Sequence, residues 1–227
     1  GVRVSWRDNN SSSKGVANRL PYQSYRNSEH NTICDVECRD SGMLVDLQDY
    51  INQQTQDTLI VLHQMGNHGP AYFKRYPKSF EFFTPACQSA ELSQCSQSEI
   101  INAYDNAIRY TDQFLAEIIQ ILQANSAQYN TGMLYVSDHG ESLGENGLYL
   151  HGLPYAFAPD AQIHVPIMSW FSAPYVDIEK TKAHKDQTYS HDVISGALLT
   201  LFEVNTDISG DQSSTSALFH LKSKASK

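Results

Sequence analysis

Two short apolar runs, each opening into a loop of glycine and histidine, constrain this chain more than any other feature. Thr58-Leu-Ile-Val-Leu-His63 leads into Met65-Gly-Asn-His-Gly-Pro70, and Met133-Leu-Tyr-Val-Ser137 ends in Asp138-His139-Gly140. Continuous apolar runs with β-branched residues describe strands covered on both faces. Between them the sequence predicts one long amphipathic helix. Ser96-Gln-Ser-Glu99 has the capping-box pattern, and Asn125 closes the segment. Ile100, Ile101, Tyr104, Ile108, Phe114, Leu115, Ile118, Ile119 and Leu122 follow the 3–4 spacing of a single buried face. Strands alternating with helices indicate an α/β fold, a three-layer sandwich with a largely parallel sheet.

The rest of the chain fits this frame. Val2, Val4 and Trp6 alternate as a strand that starts at residue one, and Val165–Trp170 reads as another, with Pro166 near its start. Shorter helices are expected over Leu44–Asn52 and, behind a Ser190 cap, over Asp192–Phe202. Residues 1–206 read as one domain, and the polar, Ser- and Lys-rich stretch 207–227 as a disordered tail. A strand with no lead-in and no initiating Met suggests a piece of a longer protein.

Charge narrows the partners. Asp and Glu outnumber Lys and Arg by 25 to 16, a net charge of −9 over 227 residues. Phosphate neutralisation needs a basic surface, so no nucleic-acid partner is expected. No apolar run approaches the ~20 residues of a membrane helix. The four cysteines form two close pairs, Cys34/Cys38 and Cys87/Cys95, neither with the spacing of a zinc ribbon. Two short disulfide-closed loops in an oxidising compartment is the better reading, with the other pairings still open.

In open parallel sheets, ligands bind beyond the carboxyl ends of the strands. The second apolar run delivers Asp138 and His139 there, and the first leads to His68. His151 follows in the glycine-containing loop Gly144–Gly152. A carboxylate and an imidazole at one strand end can present an oxygen and a nitrogen to a zinc ion. Three histidines on neighbouring loops strengthen that reading, because a solvated turn needs no such convergence. His30, His164, His184 and His220 read as surface residues, His191 as structural, and His63 as packing beneath the site. Lys14, in Asp8-Asn-Asn-Ser-Ser-Ser-Lys-Gly15, follows the first strand and suits an anion, although an ordinary polar loop would look the same.

Four stretches together are specific. They are Trp6-Arg-Asp-Asn-Asn-Ser11, Leu62–Tyr76, Ile101-Asn-Ala-Tyr-Asp-Asn106 and Ser137–Pro154. In these the chain closely resembles the lipid A phosphoethanolamine transferases of the colistin-resistance type, from residue 1 to about residue 205. The resemblance implies an alkaline phosphatase/sulfatase-like catalytic domain facing the periplasm of the bacterial inner membrane, here without its N-terminal part. It implies Asp138 and His139 as zinc ligands. His68 and His151 would be catalytic and phosphate-contacting, or would take a second zinc. Asn10, Ser11 and Lys14 would line the substrate pocket. Cys34–Cys38 and Cys87–Cys95 match two of the family's disulfides. Phosphatidylethanolamine and lipid A would be the substrates, with membrane attachment through N-terminal helices. The family's threonine nucleophile and a zinc-binding glutamate match nothing in this sequence, so the 227 residues alone are expected to be inactive. A phosphatase- or sulfatase-like hydrolase, or an inactive metal-binding fragment, are the rival readings.

Overall fold

A computed structural model describes residues 1–172, 175–204 and 218–222. The chain divides into two compact units, one of Gly1–Ile118 with Tyr135–Met168, the other of Ile119–Leu134 with Ser169–Lys227.

The first unit is built on a parallel sheet of β1 (Arg3–Asp8), β2 (Tyr22–Ser24) and β3 (Thr58–His63), in the order β2-β1-β3. The register sets Asp8 opposite both Ser24 and His63, so all three strands release their following loops at one end. There the Asn9 N–H donates to the His63 carbonyl at 2.9 Å, and Asn10 Nδ2 to the Gln64 carbonyl at 3.0 Å. The expected strand at 58–63 is present, but it is not covered on both faces. Every residue of β3 is only partly buried, because β3 lies at the edge of its sheet.

Central strand β1 buries polar groups where alternation suggested an apolar stripe. Arg7 is 3% exposed and is satisfied by the Met43 carbonyl at 2.7 Å and Asp46 Oδ1 at 2.5 Å, packed between the Tyr25 and Tyr50 rings. Asp8, fully buried, accepts from Trp6 Nε1 and the Asn10 N–H and meets His63 Nδ1 at 3.2 Å. A buried charge is tolerable only when partnered in this way. Helix α1 (Leu47–Asn52) follows a 3-10 turn over Asp40–Leu44, so the helix expected from Leu44 starts three residues later.

Helix α2 (Gln97–Asn125) forms where the pattern placed it. The capping box is complete: Glu99 Oε2 accepts both the Ser96 N–H and its hydroxyl at 2.7 Å. The buried face is Ile100, Ala103, Ala107, Tyr110, Phe114, Leu115 and Ile118. Ile101 and Ile108, expected on it, are 37% and 45% exposed. Ala103 packs in a cluster with Tyr72, Ala86, Cys87 and Leu92, and Ala107 in another with Tyr76 and Tyr110. Both disulfides form as expected, Cys34–Cys38 and Cys87–Cys95, with Cα separations of 3.9 and 5.7 Å.

Strand β4 (Gly132–Val136) pairs with β7 (Ile167–Phe171), and β5 (Ser142–Leu143) with β6 (Tyr149–Leu150). A short helix α3 (Asp160–Ile163) precedes β7. The second unit holds α4 (Ile178–Lys182) and α5 (Val193–Leu201). Part of the expected tail is packed in it: Leu218 and Phe219 are buried, Phe219 lies edge-on to Phe171 at 4.9 Å, and Leu221 bridges Val176. These apolar residues give that segment a core contact its polar neighbours could not. The remainder of 207–227 lies outside the described residues. His184 and His220, expected as separate surface residues, stack at 5.1 Å. Among the described residues, no helix is long and apolar enough to cross a membrane.

Candidate metal and phosphate site

Loops from three parts of the first unit bring His68, His139 and His151 together. One ligand nitrogen of each lies within 4.8 Å of the others. The His139 and His151 rings stack at 3.7 Å, and His68 meets them edge-on at 5.7 and 5.0 Å.

Each ring is fixed through Nδ1. His68 Nδ1 is 2.7 Å from the Gly69 carbonyl, His139 Nδ1 is 2.9 Å from the Gly140 carbonyl, and His151 Nδ1 is 3.1 Å from Glu141 Oε1. A carbonyl oxygen can only accept, so Nδ1 carries the proton in His68 and His139, and their Nε2 lone pairs stay free. With Glu141 Oε1 as the acceptor, His151 Nδ1 donates in the same way. Metal-binding histidines are held in this way, with the second nitrogen donating to a carbonyl or carboxylate.

The support extends outward. Glu141, 7% exposed, also accepts the Gly69 N–H at 3.0 Å and the Tyr72 hydroxyl at 3.1 Å. Burial and then the Glu141 charge push the Tyr72 phenol far above its usual range, so it remains a donor. The same two causes raise Tyr104 to about 12. Asp40 accepts the N–H groups of Met65 and Gly66, each at 2.9 Å, and Asn9 Nδ2 at 2.7 Å. Burial raises the Asp40 pKa, and these three bonds act against the rise. Arg75 Nε donates to the His68 carbonyl at 2.7 Å, while its guanidinium pairs with Glu37. The His68 loop is thus clamped along its length. Gly140 is required by close approach: a Cβ there would sit 2.1 Å from the Ala161 carbonyl oxygen.

His68, His139 and His151, named from sequence, converge. Asp138 lies beside this group rather than in it. Its side chain is 79% exposed, and its Oδ2 is 3.8 Å from His139 Nε2. Asn10, Ser11 and Lys14 occupy the loop leaving β1, which Asn10 ties to Gln64; Ser11 and Lys14 are exposed, and Lys14 has a positive φ of 49°. His63 stays apart on Asp8, packed edge-on against Trp6. Sequence reasoning passed over Glu141, Asp40 and Arg75. For Glu141 the signal was its place two residues after His139; Asp40 and Arg75 gave none.

Three imidazoles with their Nδ1 protons committed elsewhere, and a carboxylate alongside, form a donor set that fits zinc.

A family model described as Sulfatase matches residues 1–204. Over 215 residues the chain is 51% identical to the phosphatidylethanolamine transferase Mcr-1 of Escherichia coli, covering 91% of this chain and 39% of the relative. It is 42% identical over 215 residues to the phosphoethanolamine transferase EptA of Salmonella typhimurium, with the same coverage of 91% and 39%. The crystal structure of the soluble domain of lipooligosaccharide phosphoethanolamine transferase A from Neisseria meningitidis matches with a TM-score of 0.89 at 35% identity. That match covers 97% of this chain and 68% of the other. The fold is therefore the alkaline phosphatase/sulfatase-like one, and the chain spans 39% of the length of these two curated relatives.

Proposed function

The chain belongs to the sulfatase family, and from that premise we propose that it carries the metal and phosphate site of a phosphoethanolamine transferase. The reaction moves phosphoethanolamine from phosphatidylethanolamine to lipid A phosphates at the periplasmic face of the inner membrane and gives colistin resistance. The observation that carries this reading is the convergence of His68, His139 and His151 with every Nδ1 proton engaged. The names of the relatives, Mcr-1 and EptA, supply the group transferred. Two disulfides agree with an oxidising compartment.

Asp138 and His139 would hold zinc, which lowers the pKa of an attacking hydroxyl and offsets charge on the phosphate oxygens. His68 and His151 turn their Nε2 atoms to the lipid phosphate. The attacking hydroxyl is a threonine that the resemblance assigns to a segment outside these 227 residues. As its oxygen bonds to phosphorus, the bond from phosphorus to the diacylglycerol oxygen breaks. A protonated His68 or His151 gives its proton to that leaving oxygen. The now neutral imidazole can take the proton of the accepting lipid A phosphate. As that phosphate oxygen bonds to phosphorus, the bond from phosphorus to the threonine oxygen breaks and frees the threonine for the next turnover. Asn10, Ser11 and Lys14 bind the phosphoethanolamine, Lys14 as a point charge.

The test is transfer from labelled phosphatidylethanolamine to lipid A, read by mass spectrometry on the zinc-loaded protein that carries this sequence. Modified lipid A is expected, and is lost in His68→Ala and His151→Ala. Release of free phosphoethanolamine to water, with lipid A unchanged, would make the protein a hydrolase instead.

A further inference from the structure

Directly beyond His151 the chain reads Gly152-Leu-Pro-Tyr-Ala-Phe-Ala-Pro159. Leu153, Tyr155 and Phe157 are 40%, 81% and 79% exposed. The backbone beneath them is held. The N–H groups of Phe157 and Ala158 donate to the Pro154 carbonyl at 2.8 and 3.0 Å. The Leu153 N–H reaches Gln162 Oε1 at 3.5 Å, and Gln162 Nε2 donates to the buried Ser142 hydroxyl at 3.0 Å. An anchored loop that keeps two aromatic rings in water forgoes their burial, and such apolar patches mark contact surfaces.

Charge selects the partner. From Asn146 to Pro159 there is no Asp, Glu, Lys or Arg, in a chain whose net charge is −9. An anionic lipid surface repels most of such a molecule and repels this stretch least. A tyrosine hydroxyl beside apolar side chains suits a boundary that is oily on one side and wet on the other.

We infer that Leu153, Tyr155 and Phe157 form a membrane-contact surface that seats in the headgroup–acyl boundary of a phospholipid bilayer. His151 is two residues from Leu153, a reach of at most about 7 Å. Apolar anchors of this kind sink about 5–10 Å into the interface. With Leu153 at the boundary, His151 therefore lies at the level of the lipid phosphates. The inference rests on the transferase reading only for the identity of the lipid that is used.

The experiment is sedimentation of the chain with vesicles of phosphatidylcholine and phosphatidylglycerol, which contain no proposed donor. The chain is expected to partition onto them. Tyr155→Ser with Phe157→Ser lowers the partition about 100-fold, roughly ten-fold for each ring. Val36→Ser, 70% exposed on the Cys34–Cys38 loop, leaves it unchanged. No binding by the wild type, equal binding by the double variant, or an equal loss in Val36→Ser overturns the inference. So does a wild-type dimer that the double variant converts to monomer without vesicles, since the loop would then contact a second copy. Histidine resonances followed with soluble phosphoethanolamine test the transferase reading separately. If they do not move while the loop still governs vesicle binding, the membrane surface stands and the transferase reading falls.

Discussion

Glu141 Oε1 lies 3.1 Å from His151 Nδ1, and the same carboxylate accepts the Gly69 N–H, one residue beyond His68. One buried side chain thus ties two of the three histidine loops together and sets the tautomer of one ring.

Glu141→Ala leaves that N–H, the Tyr72 hydroxyl and His151 Nδ1 without their acceptor. Each unmet buried group costs about 1–3 kcal/mol, and water entering the gap restores part of it. A net loss of about 2–4 kcal/mol is expected in urea denaturation. Glu141→Gln keeps one acceptor oxygen and should lose less. Because Glu141 orients His151 and not His139, whose Nδ1 is held by the Gly140 carbonyl, zinc affinity should fall by no more than about 10-fold in the alanine variant.

Removing a ligand should exceed that. Zinc titration of His139→Ala by calorimetry is expected to show a loss beyond about 100-fold. Asp138→Ala should match it if the exposed carboxylate joins His139 on the ion. His63→Ala should bind zinc as the wild type does, because His63 is engaged by Asp8. Equal losses at His63 and His139 would place the ion elsewhere.

Gly140→Ala forces a Cβ against the Ala161 carbonyl oxygen, a backbone atom that cannot swing away. Overpacking of this kind costs about 1–3 kcal/mol. The shift also moves His139 and Glu141 on either side. Thermal unfolding should fall and zinc binding weaken together, whereas Gly66→Ala, with open space at its Cβ, should strain only its own turn.

The start of α2 carries a pH dependence. Hydrogen bonds from the Ser96 hydroxyl and N–H hold the Glu99 carboxyl below its ordinary value of 4.5. A pKa lower in the folded chain means stabilisation that is present above 4.5 and lost as the pH falls through the lowered value. Glu99→Gln should flatten stability in that window. Ser96→Ala should cost about 1 kcal/mol at neutral pH. Denaturation midpoints across acid pH check both.

The strands, the long helix and the histidine loops were legible because periodicity and capping are local properties. The apolar run Thr58–His63 and the capping box Ser96–Glu99 can be recognised from neighbouring residues, although β3 itself forms only by pairing with the distant β1. The same local logic misjudged Ile101 and Ile108, since a helix pattern does not say which line of a wide apolar face will meet a neighbour. It also treated Leu218 and Phe219 as tail, because the Phe171 ring that Phe219 meets lies far away in sequence.

The sequence by itself determined an α/β chain, two close cysteine pairs and three histidines at strand ends. Only the tertiary structure decided that Glu141 would orient His151, that Asp40 and Arg75 would clamp the His68 loop, and that Asp138 would lie in solvent beside the cluster. The reason is that hydrogen bonds act over about 3 Å while their partners are tens of residues apart. Glu141 and Gly69 are separated by 72 positions, and no pattern within either segment encodes where the other will be.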